Sequence, residues 1–287
     1  MRIDILGADS FGVRSLATFV RTSKTRILID PGVSIAPRRD GKPPHKLELE
    51  ELKSVRDSIQ THARDADAIV ITHFHHDHYS SYDKRELDLT NTKIARALYR
   101  DTTLYVKSWQ RNLNQAQRQR AIEFVRALGR RVSPADGRSF GELSFSPPVK
   151  HGEADSEQGW VTMVMIEDKD ERMVFASDIQ LIESEAIDWI IARSPQTVIV
   201  SGPPIYLDVL LGDSRAKAKA NLLRLADAVP TVVVDHHLLR TTVYGEFLAE
   251  SRERAAGKKH RVITAADFMT RPNTLLEAHR KDLWENE

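Results

Sequence analysis

Directly after the apolar run Asp67 to Ile71 the chain reads Thr72-His73-Phe74-His75-His76-Asp77-His78. Four side chains of metal-ligand type, His73, His75, Asp77 and His78, stand within six residues of one another. Such a cluster constrains the fold more than any other feature of the sequence. Packing three imidazoles this closely for purely structural reasons would cost burial or repulsion with no compensating partner. The run before it, Ala68-Ile69-Val70-Ile71, reads as a short strand buried on both faces. At a strand end, residues two apart share a face, so His73 and His75 can grip one cation together. A turn immediately afterwards would swing Asp77 and His78 toward a second cation. The spacing suits a dinuclear site better than a single tetrahedral one. His76 is expected to be a solvent-facing spacer.

Seven of the 11 histidines fall in three short clusters. The second cluster is His151, after Pro147-Pro148-Val149-Lys150, and the third is Asp235-His236-His237, closing the strand Thr231 to Val234. Between them Val174-Phe175-Ala176-Ser177-Asp178 is an apolar strand that delivers a carboxylate at its end. A carboxylate there can bridge two cations with its two oxygens, which a neutral imidazole cannot. Asp235 reads equally as a group behind the ligands or as a turn residue. The remaining histidines, His45, His62, His260 and His279, lie in loops or charged helices and read as residues with no metal role.

The chain has no cysteine. Disulfides, thiol nucleophiles, Cys-based zinc fingers and iron–sulfur clusters are thereby excluded, and any metal must be held by His and carboxylate. Lys and Arg number 42 against 41 Asp and Glu, a net charge of +1, which provides no bulk field to gather nucleic acid. Apolar runs are only a few residues long, so no membrane span is expected. The start MRIDILG puts Asp4 where a secretion signal would need an apolar block, and a cytoplasmic protein is expected.

No low-complexity tract, repeat or long linker marks a boundary, so a single domain over residues 1–287 is expected. Strand patterns occupy Arg2 to Leu6, Ser15 to Val20 and Thr25 to Ile29, the last closed by Asp30-Pro31-Gly32. Helices are predicted over Leu47 to Ala63, Gln115 to Leu128, Glu183 to Ala192, Ser214 to Ala228, Val243 to Ala256 and Thr274 to Glu285. Strands are predicted over Leu143 to Phe145, Val161 to Ile166, Met173 to Ala176, Thr197 to Val200 and Thr231 to Val234. The alternation argues for mixed α/β layers, most simply two sheets covered by helices. The Arg-rich helix Gln115 to Arg131, with Arg118, Arg120, Arg126, Arg130 and Arg131, reads as an exposed face over the apolar stripe Ile122, Phe124, Val125 and Leu128.

In order and spacing, H-x-H-x-D-H, then a lone His, an Asp and a last His, the sequence resembles the metallo-β-lactamase superfamily. Leu6-Gly7-Ala8-Asp9-Ser10-Phe11-Gly12-Val13-Arg14-Ser15, Ile29-Asp30-Pro31-Gly32, Val234-Asp235-His236-His237-Leu238-Leu239-Arg240 and Asn273-Thr274-Leu275-Leu276-Glu277-Ala278 resemble a mostly archaeal family within it, described only as predicted metal-dependent hydrolases. The resemblance implies a four-layer αβ/βα sandwich with the metals at one edge of the two sheets. It further implies that His73, His75 and His151 hold one metal, that Asp77, His78 and His236 hold a second, and that Asp178 bridges them. His236 and His237 are adjacent, and His236, first after the strand, is favoured as the last ligand. Asp30 matches a position that orients ligand imidazoles without touching metal. Two divalent metal ions are implied, zinc first, with iron or manganese as alternatives.

Two such cations about 3.5–4 Å apart share a water and make it a bridging hydroxide near neutral pH. The expected activity is hydrolysis of an ester, lactone, thioester or phosphodiester of a small-molecule substrate, with Asp77 and Asp178 at the reacting centre. The loop Ser201-Gly202-Pro203-Pro204-Ile205-Tyr206 follows the strand Thr197 to Val200, and His237 or Tyr206 could serve as leaving-group acid. One alternative is a ribonuclease Z-like nuclease, disfavoured by the charge. Another is a non-catalytic metal-binding protein, disfavoured by a ligand set larger than the four that close a structural site.

Overall fold

A computed structural model of the chain describes residues 1–129, 132–153, 157–207 and 212–286. They form two compact units, Met1–Ala135 with Thr274–Glu287, and Asp136–Asn273.

The first unit carries a six-stranded sheet in the order β1 (Arg2–Ile5), β2 (Thr18–Arg21), β3 (Arg26–Ile29), β4 (Ala68–Ile71), β5 (Thr103–Val106) and β6 (Ser133–Pro134). β1 to β3 pair antiparallel, and β3 to β6 pair parallel. All four residues of β4 are buried, as a strand covered on both faces requires. The crossover from β3 to β4 is the 20-residue helix α1 (Lys46–Asp65). His45 caps it: Leu47 N donates to His45 Nδ1 at 3.3 Å and His45 N donates to Glu48 Oε2 at 2.9 Å. Leu52, Val55 and Ile59, spaced for one helical face, pack into the core with Leu28 and Ile69. Each such side chain contributes roughly 1.5–3 kcal/mol by leaving water.

Among the elements of this unit not anticipated from the sequence are α2 (Thr92–Tyr99) and β5. α2 is only eight residues long and is started by Asn91 Oδ1, which accepts from Lys93 N at 2.9 Å and Ile94 N at 3.1 Å. β5 is four residues of mixed polarity that gain their place by pairing with β4. Local periodicity is too short at both to register. α3 (Gln115–Leu128) stands where its pattern predicted, and Arg130 and Arg131 lie outside the described residues.

The C-terminal segment corrects an expectation. Only Arg280–Glu285 (α8) is helical, not Thr274 to Glu285. Tertiary partners hold the residues before it. Thr274 N donates to Ser10 O at 2.8 Å, and Arg14 donates to both oxygens of Glu277 at 2.6 Å. Leu276 lies against Gly12, where an added Cβ would stand 2.6 Å from Leu276 Cδ1. Arg280 then donates to both carboxylate oxygens of Glu48 at 2.7 Å in a fully buried pair. Removing one partner of such a pair costs about 3–5 kcal/mol.

The second unit carries a seven-stranded sheet in the order β15 (Arg261–Ile263), β14 (Thr231–Asp235), β13 (Thr197–Ser201), β12 (Glu171–Ser177), β11 (Val164–Asp168), β8 (Leu143–Phe145) and β7 (Ser139–Phe140). β12 to β15 are parallel, joined by α4 (Ser184–Ile191), α5 (Ser214–Ala228) and α6 (Tyr244–Ala256), while β11, β8 and β7 are antiparallel. The expected strand Val161 to Ile166 is two: β10 (Trp160–Val161), paired with β9 (Val149–Lys150), and β11. The break falls where Thr162 Oγ1 donates to Ser146 O and Met163 N donates to Ser146 Oγ. A short helix, α7 (Ala265–Phe268), follows β15. Among the described residues no helix is long and apolar enough to cross a membrane.

Candidate metal centre

While His151 follows β9 of the antiparallel β9–β10 pair, most of the metal-type donors stand just past the carboxyl ends of parallel strands. Loops there are free of strand pairing, and open α/β sheets commonly present their ligand groups at that end.

In the first unit Asp30 follows β3 and Thr72 follows β4. Asp30 takes a left-handed conformation, φ 47°, which turns the chain sharply out of the sheet. Its Oδ1 accepts from Thr72 N at 2.8 Å, and its Oδ2 accepts from Thr72 Oγ1 at 2.6 Å and from His78 Nδ1 at 2.8 Å. Because the Thr72 hydroxyl gives its proton to Asp30, its oxygen accepts from His73 Nδ1 at 3.1 Å. With protons on both Nδ1 atoms, His73 and His78 carry their lone pairs on Nε2, the form that binds a metal. The two rings lie 4.2 Å apart, and His75 lies 4.6 Å from His73. Asp30, His73 and His78 are fully buried, and donor atoms of all three fall within 4.8 Å. Burial pushes the Asp30 carboxyl up, against the pull of His78 and Thr72. His75 Nε2 is 3.3 Å from Gln117 Nε2 of α3, and Asp77 sits half-buried in the turn closed by His78 N donating to His75 O.

The loop is held closely. A Cβ on Gly32 would stand 2.3 Å from Tyr79 N, so only glycine lets the Asp30-Pro31-Gly32 turn lie against the motif. The buried Arg56 guanidinium donates to Ser80 Oγ, Pro31 O and Asp88 O, tying both loops to α1. Burial lowers Arg56 to about 10, which leaves it charged at neutral pH. Thr72 and Arg56 were missed in the sequence; Thr72 adjoins the motif, whereas nothing local marks Arg56. His76 is not the solvent-facing spacer expected. Its side chain is 20% exposed and its ring stacks on Tyr79 at 5.5 Å, and burial lowers it to about 4.

In the second unit β12 slips register between Phe175 and Ser177, and Ser177 turns left-handed at φ 53° before Asp178. β14 ends at Asp235, and His236 is left-handed at φ 61°. Three ring nitrogens converge on one oxygen: His151 Nε2, His236 Nε2 and His237 Nε2 lie 3.2, 3.5 and 3.6 Å from Asp178 Oδ2. His151 Nδ1 faces Gln180 Nε2 at 3.3 Å, and His237 Nδ1 faces Ser201 Oγ at 3.5 Å. Burial pushes His237 well below the ordinary imidazole value, with Asp178 opposing, so the ring is neutral at neutral pH. Asp235 accepts from His236 N at 2.7 Å and from Ala265 N at 2.9 Å, pinning the turn that carries His236. Tyr206 is placed half-buried in the turn Ile205–Leu207.

These donors fit divalent metal. Separations of 3.2–3.6 Å are long for hydrogen bonds. They are close to the roughly 3.3 Å edge of a tetrahedron whose ligands stand about 2.0–2.1 Å from zinc. All donors are nitrogen or oxygen, most are buried, and the backs of His73 and His78 are held by hydrogen bonds, as ligating imidazoles require.

A model of the metallo-β-lactamase superfamily matches residues 11–236, and the chain belongs to that superfamily, with its α/β sandwich fold. More particularly, its relatives include a UPF0282 protein of Thermococcus gammatolerans, 39% identical over 295 residues that cover 100% of this chain and 96% of that protein. Among solved structures, a metal-dependent hydrolase of the β-lactamase superfamily superposes with a TM-score of 0.51 at 13% identity, covering 92% of this chain and 95% of that one. An isothiocyanate hydrolase from Delia radicum gut bacteria does so at 0.50 and 16%, covering 88% of this chain and 94% of that one. At these identities the two structures establish likeness of fold.

Proposed function

We propose that the chain is a metal-dependent hydrolase with a dinuclear His/Asp site. His73, His75 and His151 are assigned to one metal, Asp77, His78 and His236 to the other, and Asp178 to both. The observation that carries this reading is that one donor from each set, His151 Nε2 and His236 Nε2, approaches the same Asp178 carboxylate, at 3.2 and 3.5 Å. A carboxylate carries two oxygens and so can face two cations, which is what a bridging ligand needs. When bound, two divalent cations, zinc first, supply an activated water and a Lewis acid at the scissile group.

The chain's own residues do the rest. Asp30 and Thr72 hold the ring orientation of His78 and His73, so the donors are aimed before any metal arrives. Asp235 does the same for the His236 turn. His237 and Tyr206 are assigned to the leaving group. His237 keeps one ring nitrogen toward Asp178 and the other toward Ser201, which fixes the ring beside Asp178. The net charge of +1 supports a small-molecule ester, lactone, thioester or phosphodiester over a polynucleotide.

Assay of the zinc-, manganese- and iron-loaded protein against representatives of these four classes tests the proposal. Turnover of at least one, abolished by chelator and restored by metal, is expected. Full metal loading with no turnover of any class would instead make the chain a non-catalytic metal-binding protein.

A further inference from the structure

The segment that follows the histidine motif lines a second feature of the first unit. Beside α3 there is a cavity of about 230 Å³, smaller than the usual range for drug-sized ligands and suited to a single-ring molecule. Its walls are aromatic. Tyr79 meets Phe124 edge-on at 5.8 Å, and Tyr82 lies at 6.0 Å from the same ring. Such faces and edges favour a flat, polarisable guest. Ser81 lines the cavity at 4% exposure, and its buried Oγ has no hydrogen-bond partner among the described residues. A buried hydroxyl without a partner is costly to maintain, and it points to a group that completes it.

Charge selects the guest further. Arg120 is half-buried at the wall and spends Nη1 on Phe74 O at 3.2 Å, one of five guanidinium donors. The two carboxylates of the lining, Asp83 and Glu123, are exposed, and Glu123 already accepts from Gln119 Nε2 at 2.6 Å. The charge nearest the interior is therefore positive and planar, matched to a carboxylate. This corrects the reading of Arg120 as one more exposed arginine of the helix.

We propose that this pocket is a binding site for a small planar aromatic carboxylate, its ring among Tyr79, Tyr82 and Phe124. Its carboxylate pairs with Arg120 and accepts from the Ser81 hydroxyl. The site stands on its own residues and does not depend on the metal assignment.

Calorimetric titration of the full chain with benzoate tests it, with benzamide as the uncharged ring and cyclohexanecarboxylate as the charged non-planar one. Saturable benzoate binding is expected, at least tenfold tighter than either analogue. Arg120→Gln should weaken it about tenfold and Ser81→Ala several-fold. Because Arg120 also braces Phe74, the decisive variant is Ala127→Trp, which fills the pocket from an exposed position and should abolish binding while the thermal midpoint is retained. Asp178→Ala should leave benzoate binding unchanged, since a carboxylate attracted to metal would lose affinity there. Absence of binding at 10 mM benzoate, or binding that survives Ala127→Trp, overturns the proposal.

Discussion

The two units use the same residue types in opposite order. In the first, the carboxylate stands behind the imidazoles: Asp30 meets His78 at Nδ1 and reaches His73 Nδ1 through Thr72. In the second, the carboxylate stands in front, with Asp178 facing the Nε2 atoms of His151, His236 and His237. Under the proposed assignment, which ring nitrogen an aspartate faces separates an orienting group from a ligand, although both are fully buried at the end of a parallel strand. The difference has an energetic side. Asp30 is satisfied three times over by neighbouring protein donors, so it contributes to the fold with or without metal.

The contrast can be broken by substitution. Asp178→Ala should have the largest effect: turnover falls by about 10³-fold or more, since several kcal/mol of transition-state stabilisation leave with the metals. Little change is expected in the denaturation midpoint of the metal-free protein, and urea titration beside the assay checks both. The adjacent histidines come next. His236→Ala should remove one of two metals, whereas His237→Ala should keep both and slow turnover by roughly 10²-fold; metal content measured on each variant separates ligand from acid. Asp30→Asn follows. Its amide places a donor where His78 Nδ1 and Thr72 Oγ1 also donate, so metal affinity should fall about 10–100-fold. Stability of the metal-free protein should fall by about 1–3 kcal/mol. Equal stability loss in Asp30→Asn and Asp178→Ala would erase the distinction between the two carboxylates.

Much of this was legible in the sequence, and unevenly so. The H-x-H-x-D-H cluster, Asp178 and Asp235-His236-His237 could be placed because each directly follows an apolar strand, and strand periodicity fixes where its end falls. Alternation of strands and helices in the second unit was equally plain. Features decided by distant partners were not. The turns of 274–279 depend on Ser10, Gly12 and Arg14, far away in the chain. Arg56 sits in an ordinary amphipathic helix and shows its role only where it meets Pro31, Ser80 and Asp88. His76 was misjudged because the chain leaves the strand at Thr72, so alternation no longer says which way a ring points.

The central claim is that the chain holds two metals and that Asp178 is a ligand to both. Elemental analysis of the purified chain, wild type beside Asp178→Ala, tests it most directly. The account predicts about two divalent ions per wild-type chain and the loss of tight binding in the variant. A single ion per wild-type chain, retained undiminished in Asp178→Ala, would contradict it.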